Sequence, residues 1–275
     1  MTIHPSDIKT AQLHAYLLGA VAPRPICFAS TIDKDGHANL SPFSFFNIFG
    51  SKPPIAIFSP ARRVRDNSIK HTLENVIDNK EVVINVVNYA MVQQMSLASC
   101  EYPKGVNEFE KAGFTAIASE MVKPFRVKES PVQLECKVLE VKETGNEGGA
   151  GNLVICEVVC MHIQDEVLNE AQQIDPHKID LVARMGGDYY CRASGDAVFT
   201  VNKPNMNLGL GFDALPLSIK NSSILTGNNL GQLANCTSIP LIDLDYSPSE
   251  ISEAAAKKLL DENKVDEAWQ VLLRL

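Results

Sequence analysis

Three short apolar runs, ICFAST at 26–31, IAIFS at 55–59 and VVINVV at 82–87, most restrict what this chain can fold into. Each has strand length and is bounded by turn residues, the signature of buried strands rather than amphipathic helices. Asp33-Lys34-Asp35-Gly36 follows the first run as a hairpin turn, with glycine where positive φ is wanted. Pro23 and Pro25 precede that run, where no ladder donor is yet needed. The return strand at 38–40 is short, and Pro42 is expected to bend it. Backbone groups of SPFSFFN at 41–47 are then left for a ligand, or simply form a polar connection with three core phenylalanines. In the third run, Asn85 interrupts a buried face and needs a hydrogen-bond partner.

Ser59-Pro60 ends the second run, and the basic segment 62–65 follows. Asn67/Ser68, then Ile69, Leu73, Val76 and Ile77, give a polar start and helical spacing. A helix N-terminus offers free N–H groups and partial positive charge, so a phosphate docks there readily. Arg62 and Lys70 would add charge-assisted bonds, with the Ser59 and Thr72 hydroxyls completing the cradle. By composition alone a solvated charged face is the commoner reading of 62–65; the polar helix start beside it favours the anion site. Ser30, Thr31, Asn39, Ser41, Ser44, Asn47 and Ser59 place donors at strand ends and bends. Together these groups suit a ligand with a flat polar ring and an anionic tail.

The rest of the chain is less specific. Residues 1–22 read as an arm with a helix around 11–18, and 90–100 and 107–112 as further helical segments. Long β-rich segments at 132–144 and 153–167 form a hairpin with a floppy glycine-rich tip at 145–151. DPHKIDLVARMGGDYY at 175–190 combines apolar residues, a Gly186-Gly187 pair that permits close backbone approach, and two tyrosines. Residues 194–245 look like an extended packed appendage. Ser247-Pro248-Ser249-Glu250 is a capping-box pattern opening a helix to about 262, and a second helix at 265–273 completes a helical hairpin.

The stretch 24–88 resembles the flavin reductase-like family, the FMN-binding split barrels. The resemblance rests on RPICFAST-D-x-x-G-x-x-N-L-S-P-F-S-F-F-N, P-P-x-x-x-F-S-P, Arg62-Arg63, Lys70-His71-Thr72-Leu73-x-Asn75 and V-V-I-N-V-V, and continues to GGDYY at 186–190. Where the family usually carries aspartate after the lysine, this chain has His71, which puts a helix cap in doubt more than the phosphate site. The resemblance implies a mainly β fold with peripheral helices: a six-stranded antiparallel Greek-key split β-barrel over 1–200, with a C-terminal extension over 201–275 ending in a helical hairpin. It also implies FMN as cofactor, NADH or NADPH as electron donor, and a homodimer. The implied cofactor-binding residues are Ser30, Asn39, Ser44, Phe45, Asn47, Ser59, Arg62, Lys70, Thr72 and Tyr190, with no catalytic acid or base singled out.

Composition sets the exclusions. Twenty-five Lys+Arg against 33 Asp+Glu give a net charge of −8, which argues against a partner such as nucleic acid. Seven cysteines without a Cys-x-x-Cys are expected to be reduced thiols rather than disulfides or a metal site. No leader opens the chain and no apolar run approaches the ~20 residues that span a bilayer, so a soluble cytoplasmic protein is expected. No Gly-x-Gly-x-x-Gly follows a strand, so a nicotinamide would have to stack directly on a bound flavin. Three functions follow: an NAD(P)H-dependent flavin reductase, a non-enzymatic FMN-binding electron carrier, or an interaction protein working through its C-terminal helices.

Overall fold

The computed structural model describes residues 1–204 and 207–275, which form two compact units, Met1–Val198 and Phe199–Leu275. In the first, the three apolar runs become strands of one antiparallel sheet. Its members are β1 (Cys27–Ile32), β2 (Ala38–Phe43), β3 (Phe46–Ser51), β4 (Pro54–Phe58), β5 (Glu81–Val86), β8 (Val132–Glu143) and β9 (Asn152–Ile163). The spatial order is β2-β1-β5-β8-β9-β4-β3. Two short hairpins, β6 (Ala116–Ile117) with β7 (Arg126–Val127) and β10 (Val182–Arg184) with β11 (Tyr190–Arg192), lie outside this sheet.

The sheet therefore has seven strands rather than the expected six, and its edges β2 and β3 are not paired with each other, so the barrel is open, as a split barrel is. The added strand is β3, which pairs with β4 through a bulge at Ile48/Gly50 and is mostly solvent-facing, so it carries no apolar alternation to announce it. Its partner edge is β2. Pro42 does not break that strand: it sits in register opposite Phe28, and an edge strand tolerates a missing N–H. The bend falls after Phe43, at Ser44 and Phe45, between the two edges of the split sheet.

β1 is buried along its whole length because it feeds two cores. Cys27 and Ala29 join Phe58, Val82, Ile84, Leu134 and Val154 on one face. Phe28 packs on the other with Leu40, Met91, Met95 and Phe109, beneath α3 (Val92–Leu97) and α4 (Glu108–Ala112). A run buried on both faces reads as continuously apolar. On the neighbouring β5, buried Asn85 is satisfied by donating to the Phe28 carbonyl and accepting from the Val127 N–H.

The helix expected from Asn67/Ser68 begins later. α2 is His71–Asn79, with Lys70 at the N-cap and no side-chain cap, while Asn67 takes a left-handed φ of 58° in the preceding loop. The 145–151 tip is also not free. Arg62 N–H donates to the Ala150 carbonyl, Gly149 N–H to the Arg62 carbonyl, and Asn67 Nδ2 to the Asn146 carbonyl. A Cβ at Gly148 would lie 3.0 Å from the Arg63 and Val64 carbonyl oxygens, so any larger residue would have to push this backbone aside. The N-terminal helix α1 spans Thr10–Ala20, and Gly186 packs so close to Gly19 that a Cβ there would sit 3.1 Å from its Cα.

The second unit has its own core. Leu215, Ile219, Leu225, Leu230 and Leu233, from the segment read as an appendage, surround Trp269 with Ala256, Leu260 and Ala268. Its helices are α5 (Leu217–Lys220), α6 (Gly227–Ala234), α7 (Glu253–Asp261) and α8 (Val265–Leu272). Ser252, not the 247–250 pattern, caps α7 by accepting from the Ala255 N–H. No helix among the described residues is long and apolar enough to cross a membrane.

Candidate functional site

The start of α2 faces a hollow lined by Asn39 and Ser41 from β2, by Arg63, Lys70, His71 and Thr72, and by Cys100, Glu101 and Tyr102 of the loop after α3. Its floor is a buried polar network. Asn39 Oδ1 accepts from Thr72 Oγ1 at 2.9 Å and Thr31 Oγ1 at 3.3 Å, while its Nδ2 donates to Glu108 Oε1 at 3.1 Å. Glu108 also accepts from the Leu40 N–H at 3.0 Å, which ties α4 to β2. Thr72 is therefore a residue that fixes the floor. The groups left to face a ligand are the Ser41 hydroxyl, the cations and the first N–H groups of an uncapped helix.

Two cations stand side by side here. Burial and the neighbouring Arg63 push the Lys70 pKa down, an effect only partly offset by Glu101. Arg63 donates from Nη1 to Ser68 Oγ and the Ile69 carbonyl, and from Nε to Glu101 Oε1 at 2.9 Å. Arg65 Nη2 holds the other Glu101 oxygen at 2.9 Å. An anion between Arg63 and Lys70 would relieve their repulsion and meet fixed donors. The donor set thus fits a phosphate monoester.

The arginine doublet splits. Arg63 lines the hollow; Arg62 points elsewhere, donating to the Asn67 carbonyl at 3.3 Å, 3.9 Å from Glu143, with its Nε buried and unpartnered. Of the residues expected to hold a cofactor, Asn39, Lys70 and Thr72 meet in this hollow. Ser30 lies fully buried in β1 with its Oγ unpartnered. Ser59 is buried at the end of β4 and accepts from the Asn152 N–H. Ser44 and Phe45 form the bend between the sheet's edges. There the Ser44 hydroxyl accepts from Arg24 Nε at 3.4 Å, the Phe45 ring packs edge-on against His14, and the Phe45 carbonyl accepts from the Ser59 N–H. Asn47 is exposed on β3, its side chain turned to the Ile48 N–H.

Tyr190 lies in a separate cavity of about 170 Å³, with Tyr89, Val92, Val182 and Arg192 among its lining. There Arg192 stacks 3.8 Å from the Tyr89 ring centroid while its guanidinium grips Asp180 through two bonds. His177 is an exposed turn residue whose N–H donates to Asp175. A Glu135–Cys160–His162 cluster has ligand-type atoms within 4.8 Å of one another. However, Glu135 is already saturated by the Glu120, Met121 and Val122 N–H groups and His162 Nε2, and Arg126 lies 3.8 Å away. All seven cysteines are free.

A sequence profile of the flavin reductase like domain matches residues 19–180. The chain belongs to the flavin reductase-like domain family. Flavin-linked oxidoreductase chemistry comes with that membership. Curated relatives of this flavin reductase-like chain include an uncharacterized protein of Aquifex aeolicus, 38% identical and covering 69% of this chain and 94% of the relative. Another is the uncharacterized protein BH2278 of Halalkalibacterium halodurans, 32% identical, covering 75% of this chain and 98% of the relative. Among solved structures, component B of nitrilotriacetate monooxygenase from Bacillus cereus superposes with a TM-score of 0.68 at 26% identity, over 73% of this chain and 98% of its own. The 2-nitrobenzoate 2-nitroreductase NbaA of Pseudomonas fluorescens gives 0.65 at 26%, over 74% and 96%.

Arg63 and Glu101 are charged members of the hollow that sequence reasoning did not assign, and Ser41 was read as a donor without being placed among the cofactor-binding residues. Arg63 was visible as half of a doublet, but adjacent residues in a loop face different ways and spacing alone does not choose between them. Glu101 carried no signal, since it reaches the hollow across a loop more than thirty residues downstream of Arg63.

Proposed function

We propose that this chain is a flavin reductase that binds FMN with its phosphate between Arg63 and Lys70 and takes electrons from NADH or NADPH. The observation that carries the reading is the pairing of two neighbouring cations with an uncapped helix start and the Ser41 hydroxyl in one hollow. Bound flavin would supply the hydride-accepting and electron-releasing chemistry. The chain's own part is positioning. Arg63 and Lys70 would hold the phosphate, Asn39 and Thr72 would keep the floor rigid, and the Ser44–Asn47 bend would offer backbone groups to the ring edge. A homodimer is part of the proposal, on the family resemblance. The electron-carrier reading shares this site and differs only in how the flavin is reduced.

The purified chain, supplied with FMN, should be yellow and should bleach on anaerobic titration with NADH or NADPH. Binding without rapid bleaching would favour the carrier. Arg63→Met combined with Lys70→Met should weaken FMN at least tenfold more than riboflavin, because charge-assisted bonds worth about 1.5–3 kcal/mol each serve only the phosphate. Equal losses for both ligands would place the phosphate elsewhere.

A further inference from the structure

The hollow holds a carboxylate of its own. Glu101 reaches into it from the loop after α3 and is bridged by Arg63 at 2.9 Å and Arg65 at 2.9 Å. The same loop is tied to the body of α2 by Lys104, whose Nζ lies 3.0 Å from Glu74, and it turns at Gly105 with φ of 86°. The segment is thus strapped across the α2 start by ion pairs at two points, and one of its carboxylate oxygens sits on the arginine that a phosphate would need. Both Glu101 and Arg65 are substantially exposed, so the strap is a screened interaction that a ligand can displace.

We propose that Glu101 is a built-in competitor for the flavin phosphate, loosening FMN so that it exchanges with solvent as a substrate does rather than remaining as a resident group. The inference rests on the reading of this hollow as the phosphate site. A phosphate monoester brings up to two negative charges toward a carboxylate that already neutralises Arg63. The ligand must therefore either displace Glu101 from Arg63 or bind beside a like charge. Riboflavin lacks the phosphate and feels neither effect.

The test compares FMN and riboflavin binding, by flavin fluorescence quenching, in the full chain and in Glu101→Gln and Glu101→Ala variants. Removing the charge should tighten FMN about three- to tenfold, the scale of one partly screened charge, and leave riboflavin within about twofold. Both variants should keep more FMN than the parent through gel filtration. Unchanged or weaker FMN binding in Glu101→Gln would overturn the proposal, as would a parent chain that retains FMN as firmly as the variants. An effect in Glu101→Ala alone would also overturn it, since that points to packing rather than charge. The Arg63→Met/Lys70→Met double variant separates the two levels. If it weakens FMN more than riboflavin while Glu101→Gln does nothing, only the role of Glu101 falls. If it weakens both equally, the phosphate site itself is elsewhere.

Discussion

Cys100 is the exposed thiol of this chain and lines the hollow, whereas Cys27, Cys136 and Cys156 are buried. Burial pushes the Cys27 and Cys136 thiols far above their ordinary range and Cys156 up to about 12, so these three hold their protons and stay unreactive. Iodoacetamide at neutral pH should therefore modify Cys100 well before Cys27, Cys136 or Cys156, as read by mass spectrometry of peptides. Saturating FMN should slow modification of Cys100 several-fold if the phosphate sits where proposed. At this scale the sequence was only half legible. Lys70 and Asn39, which line the hollow of the proposed site, stand out in the sequence through a helical spacing and a strand end. Arg62 was favoured over Arg63 because nothing in two adjacent arginines says which one the loop turns inward. Ser30 carried the same donor chemistry as Ser41, but its place in a strand buried on both faces removes it from any ligand.

Elements were more legible where burial wrote a pattern. The continuous apolar runs of β1, β4 and β5 announced themselves, whereas β3 did not, because an edge strand facing solvent needs no alternation. Pro42 misled for the related reason that an edge strand can carry it. Glu135 shows how a strand recruits a neighbouring segment without any sequence signature. Fully buried on β8, it gathers the N–H groups of Glu120, Met121 and Val122. Burial alone would raise its pKa, but those N–H groups and His162 outweigh it and hold the carboxyl below the ordinary glutamate value of 4.5. A lowered folded-state pKa means that the stabilisation is complete above that value and is lost as pH falls through the folded one. Glu135→Gln should therefore cost about 1–3 kcal/mol in urea unfolding at pH 7. The gap between variant and parent should narrow below pH 4.5. A gap that stays constant across that range would mean that the carboxylate's charge is not what holds the segment.

The family match, residues 19–180, falls within the first of the two compact units. The Aquifex and Halalkalibacterium relatives are matched over 94% and 98% of their own lengths but over only 69% and 75% of this chain, so these two relatives have no counterpart to the rest. The Phe199–Leu275 unit is compact and encloses its own buried apolar cluster. Its organisation was hidden in the sequence because residues 201–245, low in charge and rich in Asn and Gly, show little helical period, yet they supply half of that core. Heating should reveal two unfolding steps, one followed by flavin release and the other by loss of helical signal from the C-terminal unit. A single coincident transition by both signals would show the units to be one cooperative body. Trp269 makes the comparison direct. It is the chain's single tryptophan and is wholly buried in the second unit. Its emission is a native optical tag on the unit that the proposed flavin site does not occupy, while flavin colour tags the other. Each unit can then be watched melting in its own spectral window, with no dye attached and no residue replaced.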